Sequence, residues 1–365
     1  MQENSTKIKF KRKRRSKNPI DTLTLAQKIA FAPITFQIVA SMLDFGIFKA
    51  LSEKNMTKAQ LMQKCGISRY TIDTLFDAAL CIGLVERNSN GEFSNTKLAD
   101  AFLYDEMTRV NFNFVRDICY LGASELSESF RKSAPVGLNK YYFNSPVIYS
   151  ELTKMNERMK KSWYEFDHHY SDECFEQVLK IIFSNKPKIE LICDIGGNTG
   201  KFERACLDFN HDCKVVMVDL EENIRETSKN FNTNRCSFLS ADILSDSPLE
   251  FQKTPDVFFM SQFLDCFSRE QILFILNKIA NASGRNTKIY ILEPFIDNQN
   301  FKGAAYALSH ISLYFTCMAN GCSKMYNECD MLEIIANSKL KVTNIYHGVG
   351  RYDYTLLECV KNEVV

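Results

Sequence analysis

The stretch Leu191-Ile192-Cys193-Asp194-Ile195-Gly196-Gly197-Asn198-Thr199-Gly200 decides the fold of this chain of 365 residues. An apolar run contains an acid near its end, two glycines follow, and a third glycine precedes a helical pattern. A glycine turn between a strand and a helix lets the backbone approach a ligand closely. The spacing D-x-G-G-x-x-G differs from the dinucleotide pattern G-x-G-x-x-G, where an acid at this point would repel the pyrophosphate. The stretch therefore predicts a loop for a cofactor that carries positive charge.

Two further acids end the next two strand candidates. Asp219 closes the run KVVMVD, 25 residues after Asp194, and Asp242 follows the run CSFLSA. An acid at the tip of the second strand is placed to accept hydrogen bonds from ribose hydroxyls, and one at the third tip from an adenine amino group. A single Asp could equally be a helix N-cap. Three acids at consecutive strand tips favour S-adenosylmethionine, which carries an ammonium and a sulfonium group.

Outward from this loop, short apolar runs alternate with helical stretches between residues 186 and 365. The five runs are ELICDIGG, CKVVMVDL, CSFLSAD, DVFFMSQF and TKIYILEPF. Runs of this length separated by helical stretches are typical of βαβ units. Residues 186–365 are therefore expected to form an α/β domain with a doubly wound, Rossmann-like parallel sheet that binds the cofactor.

The preceding part of the chain is expected to be helical. Residues 22–105 show the order of a winged helix, beginning with one long apolar helix over 25–51. Thr57 and Ser68 are placed to cap two shorter helices, and Asn90-Gly91 indicates a hairpin turn. Residues 106–185, which are rich in aromatics, predict a helical bridge that contributes to the substrate pocket.

A winged helix can read DNA in the major groove, so nucleic-acid binding has to be weighed. The helix from Tyr70 to Ile82 offers only Arg69 and two aspartates at its polar positions, whereas a reading helix needs Arg, Lys, Asn and Gln. Residues 1–20 hold eight basic residues and one acid, which leaves a net charge of −6 on the rest of the chain. Residues 1–21 are expected to be a disordered basic tail, with an anionic partner as the alternative.

Cysteine usage and hydropathy restrict the location of the protein. The 13 cysteines form no CxxC pair and show no zinc spacing, so no metal site and no disulfide framework are expected. A reducing compartment, the cytoplasm, follows from this pattern. No apolar stretch of 18 residues occurs, so no membrane-spanning helix is expected, and the N-terminus is unlike a secretory signal.

The order of winged helix, helical bridge and D-x-G-G-x-x-G domain resembles the class I S-adenosylmethionine-dependent methyltransferases of the plant-type and acetylserotonin O-methyltransferase group. The resemblance covers about residues 22–360. It is carried by TLFDAALCIGLVER, LICDIGGNTG, VVMVDL, SADIL, DVFFMSQFLDCFSREQ and YILEPF. It implies S-adenosylmethionine as cofactor and a homodimer that forms through the N-terminal domain. The residues implied at the cofactor are Asp194, Gly196, Gly197, Gly200, Asp219, Leu220, Asp242, Ile243 and Ser261. Where the family commonly has a third consecutive glycine, this chain has Asn198.

The family's catalytic histidine, which precedes Asp-Trp-Ser, has no counterpart in this chain. The matching run is Phe263-Leu264-Asp265-Cys266-Phe267-Ser268, in which Asp265 occupies the position of the histidine. Glu293 matches the acid that orients that histidine in the family, 28 residues further on, and a second family acid is replaced by Ser323. The resemblance therefore implies an altered catalytic set.

Three routes to proton removal stay open. Asp265 is itself a base if burial beside Glu293 raises its pKa. His168, in the run Asp167-His168-His169-Tyr170, serves instead if that helix packs over the methyl donor. Positioning alone suffices if the acceptor arrives ionised. The expected function is methylation of a hydroxyl on an aromatic or polyene-like small molecule. The alternatives are C- or N-methylation, a non-methylating enzyme of this fold, and a DNA-associated regulator that binds S-adenosylmethionine.

Overall fold

The computed structural model describes residues 18–186 and 188–362, without the side chains of residues 168–172. Most of the predicted basic tail, up to residue 17, lies outside the described residues. The chain divides into two compact units, Met1–Arg116 and Asp117–Val365. Each unit has its own hydrophobic core and is described separately below.

The first unit begins with three helices where one was predicted. They are α1 (Pro19–Ala30), α2 (Ala32–Asp44) and α3 (Ile47–Glu53). The prediction of a single helix over 25–51 is therefore wrong. The helix is interrupted at Phe31, because Pro33 lacks an amide hydrogen and is tolerated only in the first turn of a helix, here that of α2. It breaks again at Gly46, which adopts a left-handed φ of 69° before α3.

The rest of the first unit follows the predicted order. Its elements are α4 (Lys58–Cys65), α5 (Arg69–Ile82), β1 (Val85–Arg87), β2 (Phe93–Asn95), α6 (Lys97–Tyr104) and α7 (Glu106–Phe114). Thr57 caps α4 in a capping box with Gln60, and the Ser68 side chain caps α5. β1 and β2 pair antiparallel around a turn in which Gly91 has a φ of 78°. Both caps and the hairpin are confirmed.

The second unit opens with helices that precede the sheet. They are α8 (Leu126–Lys132), α9 (Val136–Tyr141), α10 (Glu157–Ser171) and α11 (Phe175–Asn185), joined by short 3-10 and π segments. In α10, the indole Nε1 of Trp163 donates a hydrogen bond of 3.1 Å to the Tyr314 hydroxyl, and both residues are buried. This bond ties α10 to the later part of the same unit.

A seven-stranded sheet forms the centre of the second unit. Its elements are β3 (Leu191–Ile195), α12 (Lys201–Phe209), β4 (Lys214–Asp219), α13 (Glu221–Thr227), β5 (Cys236–Ser240), β6 (Val257–Ser261), α14 (Arg269–Ala282), β7 (Lys288–Glu293), α15 (Lys302–Tyr314), α16 (Glu328–Ala336), β8 (Leu340–Val349) and β9 (Tyr354–Lys361). The strand order is β5-β4-β3-β6-β7-β9-β8. The five strands from β3 to β7 are parallel, which confirms the predicted α/β Rossmann-like fold.

The order of the strands fixes where a ligand binds. The chain moves from β3 outward to β4 and β5, then returns to place β6 on the other side of β3. The carboxyl ends of β3 and β6 therefore flank a topological switch point, where ligands bind in open α/β sheets. The buried strands pack against α14 through a core that includes Phe258, Met260, Ile275 and Ile291.

The last two strands, β8 and β9, were not predicted. β9 runs antiparallel to both of its neighbours, β7 and β8. β9 is buried over most of its length between β7 and β8, whereas β8 lies at the edge of the sheet with a largely exposed pattern. In the part of the chain that the structure describes, no single helix is long and apolar enough to cross a bilayer. The pair α1 and α2, bent by 61°, meets the length and composition criteria only together.

Candidate active site

The loop after β3 brings the backbone close to its neighbours. Gly196 has a φ of 81°, and its amide donates to the Val218 carbonyl at 2.8 Å. A Cβ at this position would lie 2.6 Å from Cε2 of Phe263. A Cβ at Gly197 would lie 2.8 Å from Met217 and 2.9 Å from the Asp194 carboxyl. Only glycine fits at either position, because neighbouring side chains pack directly against the loop backbone.

Asn198 fills the place of the family's third glycine. It adopts a left-handed φ of 49°, a region that Asn tolerates better than other side chains. Its side-chain Nδ2 donates to Asp167 of α10 at 2.8 Å, and its carbonyl accepts from Thr227 at 2.6 Å. The asparagine therefore keeps the glycine-like backbone and adds a link between the loop and α10.

Asp219 lies at the end of β4, where the sequence predicted an acid for the ribose. Its Oδ2 accepts from the backbone amide of Asn198 at 2.9 Å, and its Oδ1 accepts from Leu220 at 2.7 Å and Asn223 at 2.8 Å. Burial raises the pKa of Asp219, and these three donors oppose the rise. A carboxylate has about four acceptor positions. One therefore stays available for a ligand hydroxyl while the others hold the loop in place.

A cleft lies at the switch point above β3 and β6. It is lined by Asp167, Phe175, Asp194, Gly196, Gly197, Asn198, Thr199, Lys201, Phe202, Ser261 and Gln262. The structure thus brings together four of the predicted cofactor residues, Asp194, Gly196, Gly197 and Ser261. Two carboxylates against one lysine suit a ligand with positive charge. The Ser261 hydroxyl is buried and has no hydrogen-bond partner among the described residues, so it is available to a ligand.

The remaining predicted cofactor residues are spread around the cleft. Gly200 precedes α12, and Leu220 is 44% exposed immediately after β4. Ile243 is buried in the sheet core. Asp242 is exposed, and its Oδ1 accepts from the Leu244 amide at 2.9 Å, so its carboxylate stabilises the turn after β5. These four residues and Asp219 do not line the cleft, and their contact with a cofactor stays a prediction.

Asp265 and Glu293 lie together at the carboxyl end of β6 and β7. Asp265 is in the 3-10 turn Leu264–Cys266 and is 4% exposed, and Glu293 ends β7 and is 2% exposed. Glu293 Oε1 accepts from the backbone amides of Phe263 at 3.2 Å and Leu264 at 2.9 Å. Burial raises the pKa of Asp265 to about 6. Burial, then the charge of Asp265, raises the pKa of Glu293.

The carboxyl of Asp265 is not used to cap a helix. Ser268 caps α14 in a capping box with Gln271. Asp265 Oδ1 is buried without a hydrogen-bond partner among the residues that the structure describes. A buried acceptor without a donor costs free energy in the folded protein. Cys266 hydrogen-bonds to the same carboxyl and opposes the rise of its pKa, so local structure accounts for this carboxyl only in part.

The turn that carries Asp265 is held by residues far along the chain. Asn320 donates through Nδ2 to the Cys266 carbonyl at 2.8 Å, and Tyr326 donates to the Phe267 carbonyl at 2.7 Å. Ser323, at the place of the second family acid, donates to Asn320 Oδ1 at 2.9 Å. Ser323 therefore supports the turn through Asn320, a role that needs a hydroxyl and no charge.

His168 lies on α10, but its side chain is outside the described part of the structure. The same helix carries Asp167, which lines the cleft and meets Asn198. α10 thus reaches the cofactor loop, as the second catalytic route requires. Asp167, Asn198, Lys201 and Gln262 were not predicted as site residues. Asp167 could have been identified from the sequence, because it immediately precedes His168. Among the described residues, no group of three or more His, Cys, Asp or Glu could hold a metal ion.

Two family models match the chain. Residues 24–93 match the Dimerisation2-like domain, and residues 124–336 match the O-methyltransferase domain. The second match covers more than half of the 365 residues and includes both the glycine loop and the turn of Asp265.

Curated relatives and solved structures agree with these matches. The L-tyrosine C(3)-methyltransferase of Streptomyces lavendulae is 22% identical over 310 residues, 83% of this chain and 82% of the relative. The acetylserotonin O-methyltransferase of Bos taurus is 20% identical over 286 residues, 75% of this chain and 81% of the relative. The structure of a mitomycin 7-O-methyltransferase superposes with a TM-score of 0.71 at 16% identity, covering 94% of this chain and 98% of that one.

Proposed function

The chain belongs to the O-methyltransferase domain family, and on that premise we propose that it methylates a hydroxyl group of an aromatic or polyene-like small molecule. The methyl donor is S-adenosylmethionine. One observation carries the proposal. The acid-lined glycine cleft and the turn with the buried Asp265 both lie at the carboxyl ends of the parallel strands. A cofactor cleft and a candidate base at neighbouring strand ends are the two parts that a methyl transfer needs.

The residues of the cleft fit the methyl donor. The carboxyl groups of Asp167 and Asp194 line the cleft and suit a ligand whose ammonium and sulfonium groups are positive. Ser261 offers a buried hydroxyl in the cleft, and Asp219, which holds the glycine loop from the end of β4, keeps an acceptor position for a ribose hydroxyl. Glycine at 196 and 197 lets the backbone approach the ligand closely. When bound, S-adenosylmethionine supplies an electrophilic methyl group on sulfur.

Asp265 is the proposed acceptor of the hydroxyl proton. Its pKa of about 6 leaves it mostly ionised at neutral pH, and burial makes it more basic than a free Asp with a pKa of about 3.9. Glu293 keeps a raised pKa and holds the backbone of the Asp265 turn through two amides. Glu293 is therefore a positioning residue, and Asp265 takes the proton as the oxygen gains the methyl group.

C-methylation is the second candidate, and the missing histidine favours it. A pKa of about 6 is about four units below that of a phenol, so proton transfer to Asp265 is uphill. Transfer to a ring carbon needs a different placement of the acceptor relative to the base. The relative from Streptomyces lavendulae is by name a C-methyltransferase. Proton removal at carbon would then follow methyl transfer, with Asp265 as the acceptor.

One experiment tests both candidates. The protein is incubated with methyl-labelled S-adenosylmethionine and a panel of hydroxylated aromatic compounds, and labelled products are assigned by NMR. A label on oxygen supports the first candidate and a label on ring carbon the second. A protein that binds the donor but labels no compound in the panel or in a metabolite extract would refute small-molecule methylation. His168→Ala and Asp265→Asn, assayed in parallel, separate the two routes to proton removal.

The assembly and location belong to this proposal as well. All residues of helix α1 are described, and none of them is buried. Exposed apolar side chains lie on α1 and α2, namely Ile20, Leu23, Ile29 and Ile34. The Dimerisation2-like match over 24–93 supports a homodimer that covers them. The cytoplasm as location and the expectation that the protein binds no nucleic acid stay predictions. A gel shift with and without residues 1–20 tests the regulator alternative.

A further inference from the structure

Glu203 is a fully buried acid that the reaction above does not use. It lies in the first turn of α12, directly behind the glycine loop, with a relative exposure of 0%. Its neighbours on the buried face of α12 are Phe202, Cys206 and Leu207. Neither oxygen of its carboxyl has a hydrogen-bond donor among the described residues. Ionisation of a fully buried carboxyl without a donor costs free energy, so such a group holds a proton or shares one with a neighbouring group.

The neighbouring group of Glu203 is the carboxyl of Asp194. A Cβ placed on Gly197 would lie 2.9 Å from Asp194 Oδ2 and closer still to Glu203 Oε1, so the two carboxyls flank one point beneath the loop. Asp194 is 3% exposed and also lines the cofactor cleft. Two carboxyls in contact in a buried site cannot both be ionised at modest cost. A proton held between them satisfies the oxygens that lack a donor.

The surroundings favour retention of that proton. The ionisable groups that face the pair are Asp219 on β4, Arg204 on α12, Cys193 on β3, Cys206 on α12 and Cys236 on β5. Arg204 is the single cation among them, and its guanidinium lies 4.9 Å from the centre of the Phe231 ring. Burial raises the pKa of Glu203 to about 7 and raises that of Asp194 well above its usual range.

We propose that Asp194 and Glu203 form a proton-sharing pair that links cofactor binding to the release of a proton. This proposal rests on the proposed function, because the ligand is the cationic methyl donor. Asp194 faces both Glu203 and the cleft, so positive charge in the cleft favours the ionised form of the pair. The proton passes to solvent as the ligand binds. Lys201 also lines the cleft and opposes this effect in part.

Calorimetry with S-adenosylmethionine tests the proposal without an acceptor substrate. Titrations run from about pH 5.5 to pH 7, where the free amino group of the ligand, with a pKa of about 7.7–8.0, stays protonated. Two buffers with different ionisation enthalpies give the number of protons released. We expect net proton release, and a Kd that tightens with rising pH by up to about tenfold per pH unit.

The variant Glu203→Gln tests whether the released proton belongs to the pair. The matched control is Glu250→Gln, because Glu250 is an exposed carboxyl outside the site. The amide of the glutamine can donate to Asp194, so less proton should be released and the pH dependence of Kd should flatten. Thermal melts of each variant confirm folding.

The outcomes separate this proposal from the proposed function. Binding by the unsubstituted protein without proton release and with a flat Kd overturns the proton linkage alone. Full linkage in Glu203→Gln also overturns it, because the proton would then belong to another acid such as Asp219. No binding at any pH would overturn the proposed function, and this proposal with it.

Discussion

Replacement of Glu203 by glutamine should stabilise the folded protein, and more so as the pH rises. In the folded chain, burial raises the pKa of Glu203 from 4.5 to about 7. The folded state therefore binds more protons than the unfolded state between these values. The favourable contribution of the protonated group is present below the unfolded pKa and is lost as the pH rises through about 7. Glutamine has nearly the same shape and does not titrate.

The size of the effect follows from the shift. One pKa unit corresponds to about 1.4 kcal/mol, so at most about 3 kcal/mol of folding free energy is lost on the ionisation of Glu203. The difference in unfolding free energy between Glu203→Gln and the unsubstituted chain should therefore grow by up to about 3 kcal/mol from about pH 4 to about pH 8. Asp265 and Glu293 titrate in both proteins and cancel. Asp194 is paired with Glu203, so the difference reports on the pair that these two carboxyls form.

Urea unfolding followed by circular dichroism at several pH values measures this difference. Glu250→Gln serves as the control and should follow the unsubstituted protein throughout. A stability difference between Glu203→Gln and the unsubstituted chain that is constant with pH would refute the reasoning. It would mean that Glu203 has an ordinary pKa in the fold and that its burial is compensated by another group.

Four further predictions concern the site and the assembly. Asp219→Ala should weaken S-adenosylmethionine at least about tenfold by calorimetry, because it removes the ribose acceptor and frees three donors of the loop. Unchanged affinity in a folded Asp219→Ala variant would exclude the ribose role. Asp265→Asn should lower turnover by about 10²–10⁴ with unchanged donor affinity, and the activity of the unsubstituted enzyme should fall below about pH 6, as its base becomes protonated. Full activity in Asp265→Asn would remove this residue from the mechanism. Gly196→Ala should weaken donor binding because its Cβ would lie 2.6 Å from the Phe263 ring and its φ is 81°, and a normal Kd would show that the loop adapts. Ile29→Glu should convert the dimer to a monomer by light scattering, since this side chain is 68% exposed on α1, and a monomer before substitution would contradict the dimer.

Local signals in the sequence were sufficient for many elements. The caps at Thr57 and Ser68 were predicted because a side chain bonds a backbone amide only three residues away. The five parallel strands were predicted because both of their faces are buried, so their sequences are apolar runs. The edge strand β8 has an exposed and irregular pattern, and it was missed for that reason. The single helix over 25–51 was wrong because its apolar periodicity outweighed the signals of Pro33 and Gly46.

The sequence by itself determined the fold class, the position of the glycine loop and the identity of the acids at the strand tips. Each of these depends on residues that are close together along the chain. Tertiary structure alone decided which of those acids meet a cleft. It left Asp194 on the cleft and Asp242 on an exposed turn, although both follow the same local pattern. It also buried Glu203 against Asp194. The burial and charge of Glu203 depend on neighbours from β3, β4 and α12 together. The helical periodicity of KFERACLDF predicts a buried face of α12 but does not specify what that face contacts.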